Sequence, residues 1–187
     1  MSNIRNILRK KVKNKKKIEY HLSSKDFPIE EIKKSELPGQ KSLKFTEKDV
    51  EKIFDYKKGP YTFVVLSLLY PNLKYDQVKF HQDHLHPDSY FKTPKLKKLG
   101  LSDEKIEEWR DMKDKLPNLQ LLKGSENQSK LATPLIDWFN KKISDKTIYK
   151  RENYFPPKTS LEFNEFEKFY SNRKKKLRKE ITNYFLK

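Results

Sequence analysis

Apolar positions are sparse at the start of the chain and settle into helical spacings only after residue 46. Residues 1–45 carry the basic run RKKVKNKKK at 9–17, then Pro28 and ELPGQ at 36–40, and read as a basic N-terminal extension or linker ahead of a folded domain at 46–187. Thr46 can cap a helix running through Val50, Ile53 and Phe54 to a cationic and glycine ending at Lys57, Lys58 and Gly59. Pro60 suits the first turn of a second helix that stops before Pro71. The stretch YTFVVLSLLY at 61–70 is apolar on all sides and fits a buried strand as well as a buried helix by periodicity; its length and flanking prolines favour helix.

Residues 77–82, QVKFHQ, alternate with Val78 and Phe80 on one face, which predicts a short strand delivering DHLHP at its end. Ser102 caps a helix with Asp103 and Glu104 in its first turn and Ile106, Trp109 and Met112 along one side, stopping at Leu116-Pro117. NLQLL at 118–122 predicts a second strand. Gly124 and the box Ser125-x-x-Gln128 then start a helix that places Asn127 and Lys130 on one face. Thr133-Pro134 opens another helix through Trp138 and Phe139, and a polar segment with Pro156-Pro157 follows. Thr159-x-x-Glu162 caps a long C-terminal helix with apolar Phe163, Phe166, Tyr170, Leu177, Ile181 and Tyr184, and with a basic face at 173–179. The fold class is α+β, mostly α.

Hydrophobic residues make up only 34% of the 187, but 12 Phe, 10 Tyr and 2 Trp bury large areas each, so a core can still offset the ordering entropy. Trp109 and Trp138, at helical spacings, read as core rather than base-stacking platforms. The 43 Lys and Arg against 26 Asp and Glu give a net charge of +17, a field that attracts polyanions, with nucleic acid the foremost partner. A compositional bias towards lysine is the competing source of that charge. No cysteine is present, which excludes disulfides and thiolate zinc sites and suits a reducing, cytoplasmic setting. The longest apolar stretch is far short of the roughly 20 residues that cross a bilayer, so no membrane partner is expected.

Three of the four histidines lie in FHQDHLHPDSY at 80–90. His84 is a candidate general base, because an ordinary imidazole titrates near pH 6.5. Asp83, its neighbour on an extended strand, points to the opposite side and can offer oxygen to a divalent ion. A zinc site of His81, Asp83, His84 and His86 is an alternative, as is simple local hydrogen bonding.

The order of DH-x-x-P (Asp83, His84, Pro87), then Asn118-Leu119, Asn127 nine residues after Asn118 and Lys130 three further on, resembles the HNH or His-Me finger endonucleases. LSLLYP at 66–71, DHLHP, LPNLQLLKGSENQSK, PLIDWF and FEKFYSNRKKKL are similar to the nuclease domain at the C-terminal end of GmrSD-type modification-dependent restriction proteins, over roughly 46–187. The resemblance implies a ββα-metal hairpin-helix core surrounded by additional helices, and a metal-dependent endonuclease acting on DNA in a bacterial phage-defence restriction system. It gives His84 the activation of water and Asn118 the holding of the hairpin loop and the orienting of His84. Asp83 and Asn127 would hold Mg²⁺ or Mn²⁺, and Lys130, His86 and Lys123 would contact nucleic acid; by their charge, the basic stretches 9–17 and 173–179 are expected to add phosphate contacts. It also implies a separate or missing nucleotide-hydrolysing N-terminal domain or subunit, none of whose motifs is visible, and the chain lacks the CxxC pairs that brace many HNH hairpins. The alternatives are a catalytically silent nucleic-acid-binding module and an RNA-directed nuclease.

Overall fold

The computed structural model describes residues 9–14, 17–22, 29–34 and 44–186, the first two segments by their backbone. The chain divides into two units, Met1–Thr46 and Glu47–Lys187. In the first, β1 (Arg9–Asn14) pairs antiparallel with β2 (Lys17–Leu22), and α1 (Ile29–Lys34) follows. The alternation of this basic stretch is weak, and sequence reading placed no element there. The side chains of 9–17, expected among the phosphate contacts, lie outside the described residues.

The second unit is mixed α+β and mostly helical. It opens with α2 (Glu47–Ile53), which has acids in its first turn and Lys52 in its last, as the helix dipole favours. α3 (Pro60–Leu69) begins on its proline and buries Thr62, Val65, Leu66 and Leu69. Its other face stays in water, with Tyr61 76% and Val64 57% exposed, so the all-apolar run is a helix buried along one side only.

β3 (Phe80–His84) starts three residues later than the alternation at 77–82 suggested, so Asp83 and His84 lie within the strand. α4 (Thr93–Lys98) and α5 (Asp103–Met112) form the excursion; Ser102 caps α5 by accepting from the Lys105 amide at 3.3 Å. β4 (Leu119–Lys123) pairs antiparallel with β3, placing Asp83 opposite Gln120 and His84 opposite Leu119. The Gly124 amide still donates to Lys79 O at 3.2 Å, and the chain turns at once into α6 (Gly124–Lys130). The helix starts before Ser125, so the expected Ser125-x-x-Gln128 box does not form and no side chain caps this end.

α7 (Leu135–Lys142) follows Pro134. α8 (Lys146–Glu152) falls in the stretch read only as a polar segment, nucleated by Asp145, whose carboxylate accepts from the Ile148 amide at 2.8 Å. A 3-10 turn at Phe163–Glu165 precedes α9 (Phe166–Phe185). The Thr159 hydroxyl donates to Pro157 O instead of capping α9, so the second expected box is absent too.

α9 is the spine of this unit. Leu177 and Ile181 enter one core cluster with Phe54, Leu66, Phe80, Leu119 and Leu121. Phe169 enters a second with Leu85, Leu135 and Phe155, and Phe166 and Tyr170 a third with Phe91, Ile106 and Trp109. Full burial of each such aromatic contributes about 1.5–3 kcal/mol, so one helix secures the hairpin on several sides. Arg173 on the same helix is 0% exposed. It was expected on the phosphate-binding face, but its guanidinium is turned inward. Nη1 donates to the carbonyls of Pro117 and Leu119 at 2.8 and 2.9 Å, and Nε to Asn153 O at 3.1 Å.

Candidate active site

β3 carries Asp83 and His84 to opposite sides of the hairpin, as adjacent residues of a strand must go. The Asp83 side faces α6, which packs on both strands. There, Asp83 Oδ2 accepts from Lys130 Nζ at 2.8 Å and from Gln120 Nε2 at 2.9 Å. Lys130 Nζ also donates to the carbonyl of His84, closing α6 onto the end of β3. Gln120 is fully buried, and its Oε1 accepts from the Tyr149 hydroxyl of α8 at 2.8 Å. Asp83 Oδ1 carries no hydrogen bond among the described residues. Asn127, one turn before Lys130, is partly buried, and its carboxamide makes none either.

On the other side, His84 Nε2 lies 2.8 Å from Asp114 Oδ1, with side-chain exposures of 14% and 29%. Burial is the main influence on His84 and pushes its imidazole below the usual range; the Asp114 bond opposes this, and the Lys58 charge acts with burial. Burial would raise the Asp114 carboxyl, but the bonds from His84 and Lys113 outweigh it and hold it below the ordinary carboxylate range. The pair at neutral pH is therefore an ionised carboxylate accepting Nε2–H from a neutral imidazole, with the lone pair left on Nδ1.

Asn118 is 0% exposed and hydrogen-bonds the main chain at His86 and Lys113. Its Oδ1 accepts from the His86 amide at 3.0 Å, and its Nδ2 donates to Lys113 O at 2.9 Å and to His86 O at 3.2 Å. The side chain that touches His84 is Asp114, and Asn118 fixes the backbone on both sides of that contact. Sequence reading missed Asp114, because within KDK it looks like one of many solvated charges. Gln120 was detectable: a lone polar residue in an apolar strand needs a buried partner.

Two expected nucleic-acid contacts are corrected. His86 is 1% exposed, with its ring 5.1–5.8 Å from those of Phe163, Phe166 and Phe169, and burial pushes its pKa down to about 3. Lys130 is 0% exposed and committed to Asp83 and the His84 carbonyl. Neither offers a surface to a strand of nucleic acid. Lys123 is exposed at the end of β4. No group of three or more His, Asp or Glu side chains able to hold a metal occurs among the described residues, and Asp83 and His84 of the zinc alternative point to opposite sides of the strand. Trp109 and Trp138 are 3% and 5% exposed and belong to the core.

His86 gives a stability prediction. Its folded pKa lies below the unfolded value of about 6.5, so the unfolded chain binds the extra proton, and stability is lost as pH falls from 6.5 towards 3. Urea midpoints should drop across that window, and His86→Leu should flatten the drop. An unchanged pH slope in the variant would rule out His86 as its source.

No protein-family model matches the chain, and no curated protein matches it. No helix among the described residues is long and apolar enough to cross a membrane.

Proposed function

We propose that residues 47–187 are a metal-dependent endonuclease module that hydrolyses DNA phosphodiester bonds, with β3, β4 and α6 as a ββα-metal core. The observation that carries this reading is the division of labour at Asp83-His84: one side chain turned to α6 with an open carboxylate oxygen, the other turned away and held by a carboxylate.

The residues present fit a hard divalent cation. Asp83 Oδ1 and the Asn127 carboxamide are oxygen donors without hydrogen bonds among the described residues, and Lys130 and Gln120 orient the Asp83 carboxylate through Oδ2. Mg²⁺ or Mn²⁺ held there supplies neutralisation of charge on the phosphate and the leaving oxygen. His84, neutral and fixed by Asp114, takes a proton from water at Nδ1. Asn118 keeps Asp114 and the turn after β3 in place while this happens. The resemblance to GmrSD-type nuclease domains supports a role in phage-defence restriction, working with a nucleotide-hydrolysing domain or subunit.

One observation favours a second reading, a catalytically silent nucleic-acid-binding module: Asp83 already has an ammonium partner in Lys130, so its charge is balanced without a metal. Supercoiled plasmid and a matched RNA, each incubated with Mg²⁺, Mn²⁺ or EDTA, separate the two. The nuclease reading expects nicked or linear plasmid with metal, none with EDTA, and none from an Asp83→Ala/His84→Ala double variant. Retained, salt-sensitive binding without cleavage under any metal would establish the silent module, and cleavage of RNA alone would redirect the activity.

A further inference from the structure

The turn between α2 and α3 is tied to the hairpin more firmly than a connecting loop requires. Gln82 on β3 grips Gly59 from both sides, its Oε1 accepting from the Gly59 amide at 3.1 Å and its Nε2 donating to Gly59 O at 3.0 Å. The Lys58 amide donates to the carbonyl of Asp114 at 2.7 Å, and Lys57 forms an antiparallel bridge with Lys115. Lys58 is thus attached by its own main chain to the residue that holds His84.

Four lysines surround this corner with three aspartates. Lys57 and Lys115 both pair with Asp111, at 2.9 Å for Lys57, and Lys113 pairs with Asp88 and with Asp114. Lys58 is exposed, and its ammonium has no ion pair or hydrogen bond among the described residues. Its charge nevertheless reaches the His84 ring. An exposed lysine is ordinarily a solvated charge of no consequence; this one is the surplus positive charge of its corner, its main chain fixed by its own amide bond to Asp114 O and by the two bonds of the Gln82 carboxamide to Gly59.

We propose that Lys58 is a phosphate-binding residue of the His84 site, its ammonium receiving a non-bridging oxygen of the nucleic-acid backbone next to the scissile bond. This rests on the nuclease reading and names the group that positions its substrate. A lysine acts here as a point charge, so the contact sets the position of the strand and carries no sequence preference.

The test measures binding apart from cleavage. In a His84→Ala background, the affinity for a short DNA duplex is followed against salt with Mg²⁺ present, for the parent and for added Lys58→Met and Lys58→Arg. Loss of one phosphate contact should reduce the slope of log affinity against log salt by about 0.9 in Lys58→Met, with Lys58→Arg close to the parent. Thermal melting should be unchanged, because methionine leaves every main-chain anchor intact. With His84 restored, Lys58→Met should also cleave plasmid more slowly. If Lys58→Met keeps the parental slope and cleaves as wild type does, the Lys58 assignment is overturned and the nuclease reading stands. A parent that retains no duplex at any salt overturns both.

Discussion

Arg173→Met is expected to lower the unfolding free energy by about 4 kcal/mol, a large share of the roughly 5–15 kcal/mol that holds an ordinary domain together. The guanidinium is buried without a carboxylate partner among the described residues; its acceptors are the carbonyls of Pro117, Leu119 and Asn153, with longer contacts to Leu116 O and the Tyr70 hydroxyl. Two effects compete on substitution. Removing a buried charge relieves its desolvation, which favours the variant. The carbonyls, however, belong to the backbone and stay buried, and each loses a partner at about 1–3 kcal/mol. Three short bonds are lost, and a flexible thioether fills the space without replacing any of them, so the second effect wins. Urea unfolding checks this, with Lys175→Met, exposed two residues away, as a comparison expected within about 0.5 kcal/mol of wild type. Equal losses in the two variants would refute the bracing role of Arg173. The damage should centre on 116–119, so a partly folded variant would also misplace Asn118 and, through it, Asp114.

Arg173 also marks where sequence reading stopped. RKKKLRK at 173–179 reads as a uniform basic face, and nothing local separates the first residue from the rest. Only the helical phase does: Phe166, Phe169, Tyr170, Arg173, Leu177 and Ile181 all fall on the buried side of α9. The hairpin was legible because a two-residue period and the spacing of Asn118 and Asn127 are local signals. The Ser102 cap was legible for the same reason, whereas the boxes at Ser125 and Thr159 satisfied a pattern that the surrounding chain overrode. α8 went unread although Asp145 announces it, and with it went Tyr149, which completes the buried line from Gln120 to Asp83. Asp114 and Lys58 were beyond reach. Their importance lies in contacts across the excursion and across the turn at Gly59, and no spacing along the chain encodes those.

His84→Ala is expected to lower kcat by about 10³-fold with little change in DNA affinity, since a positioned general base contributes about 10²–10⁴-fold. Asp114→Leu should cost about 10²-fold, because an imidazole free to rotate is misplaced by enough to lose that much, and Asp114→Asn should recover most of it, because the amide oxygen still accepts Nε2–H. A purely structural role for Asp114 would not produce that ordering alongside unchanged melting. The pH profile adds an independent check. On the nuclease reading His84 acts in its neutral form, and its pKa lies below the usual imidazole value, so kcat/KM should rise with pH on the acid side with its midpoint below about pH 6.5. The Asp114 bond raises the His84 pKa against burial, so its removal in Asp114→Leu should shift the acid limb further down while lowering the plateau. A carboxylate that merely filled space would lower the plateau and leave the limb where it was. An acid limb that shifts upward, or one that survives unchanged in His84→Ala, would take the proton transfer away from His84 and assign it elsewhere in the site.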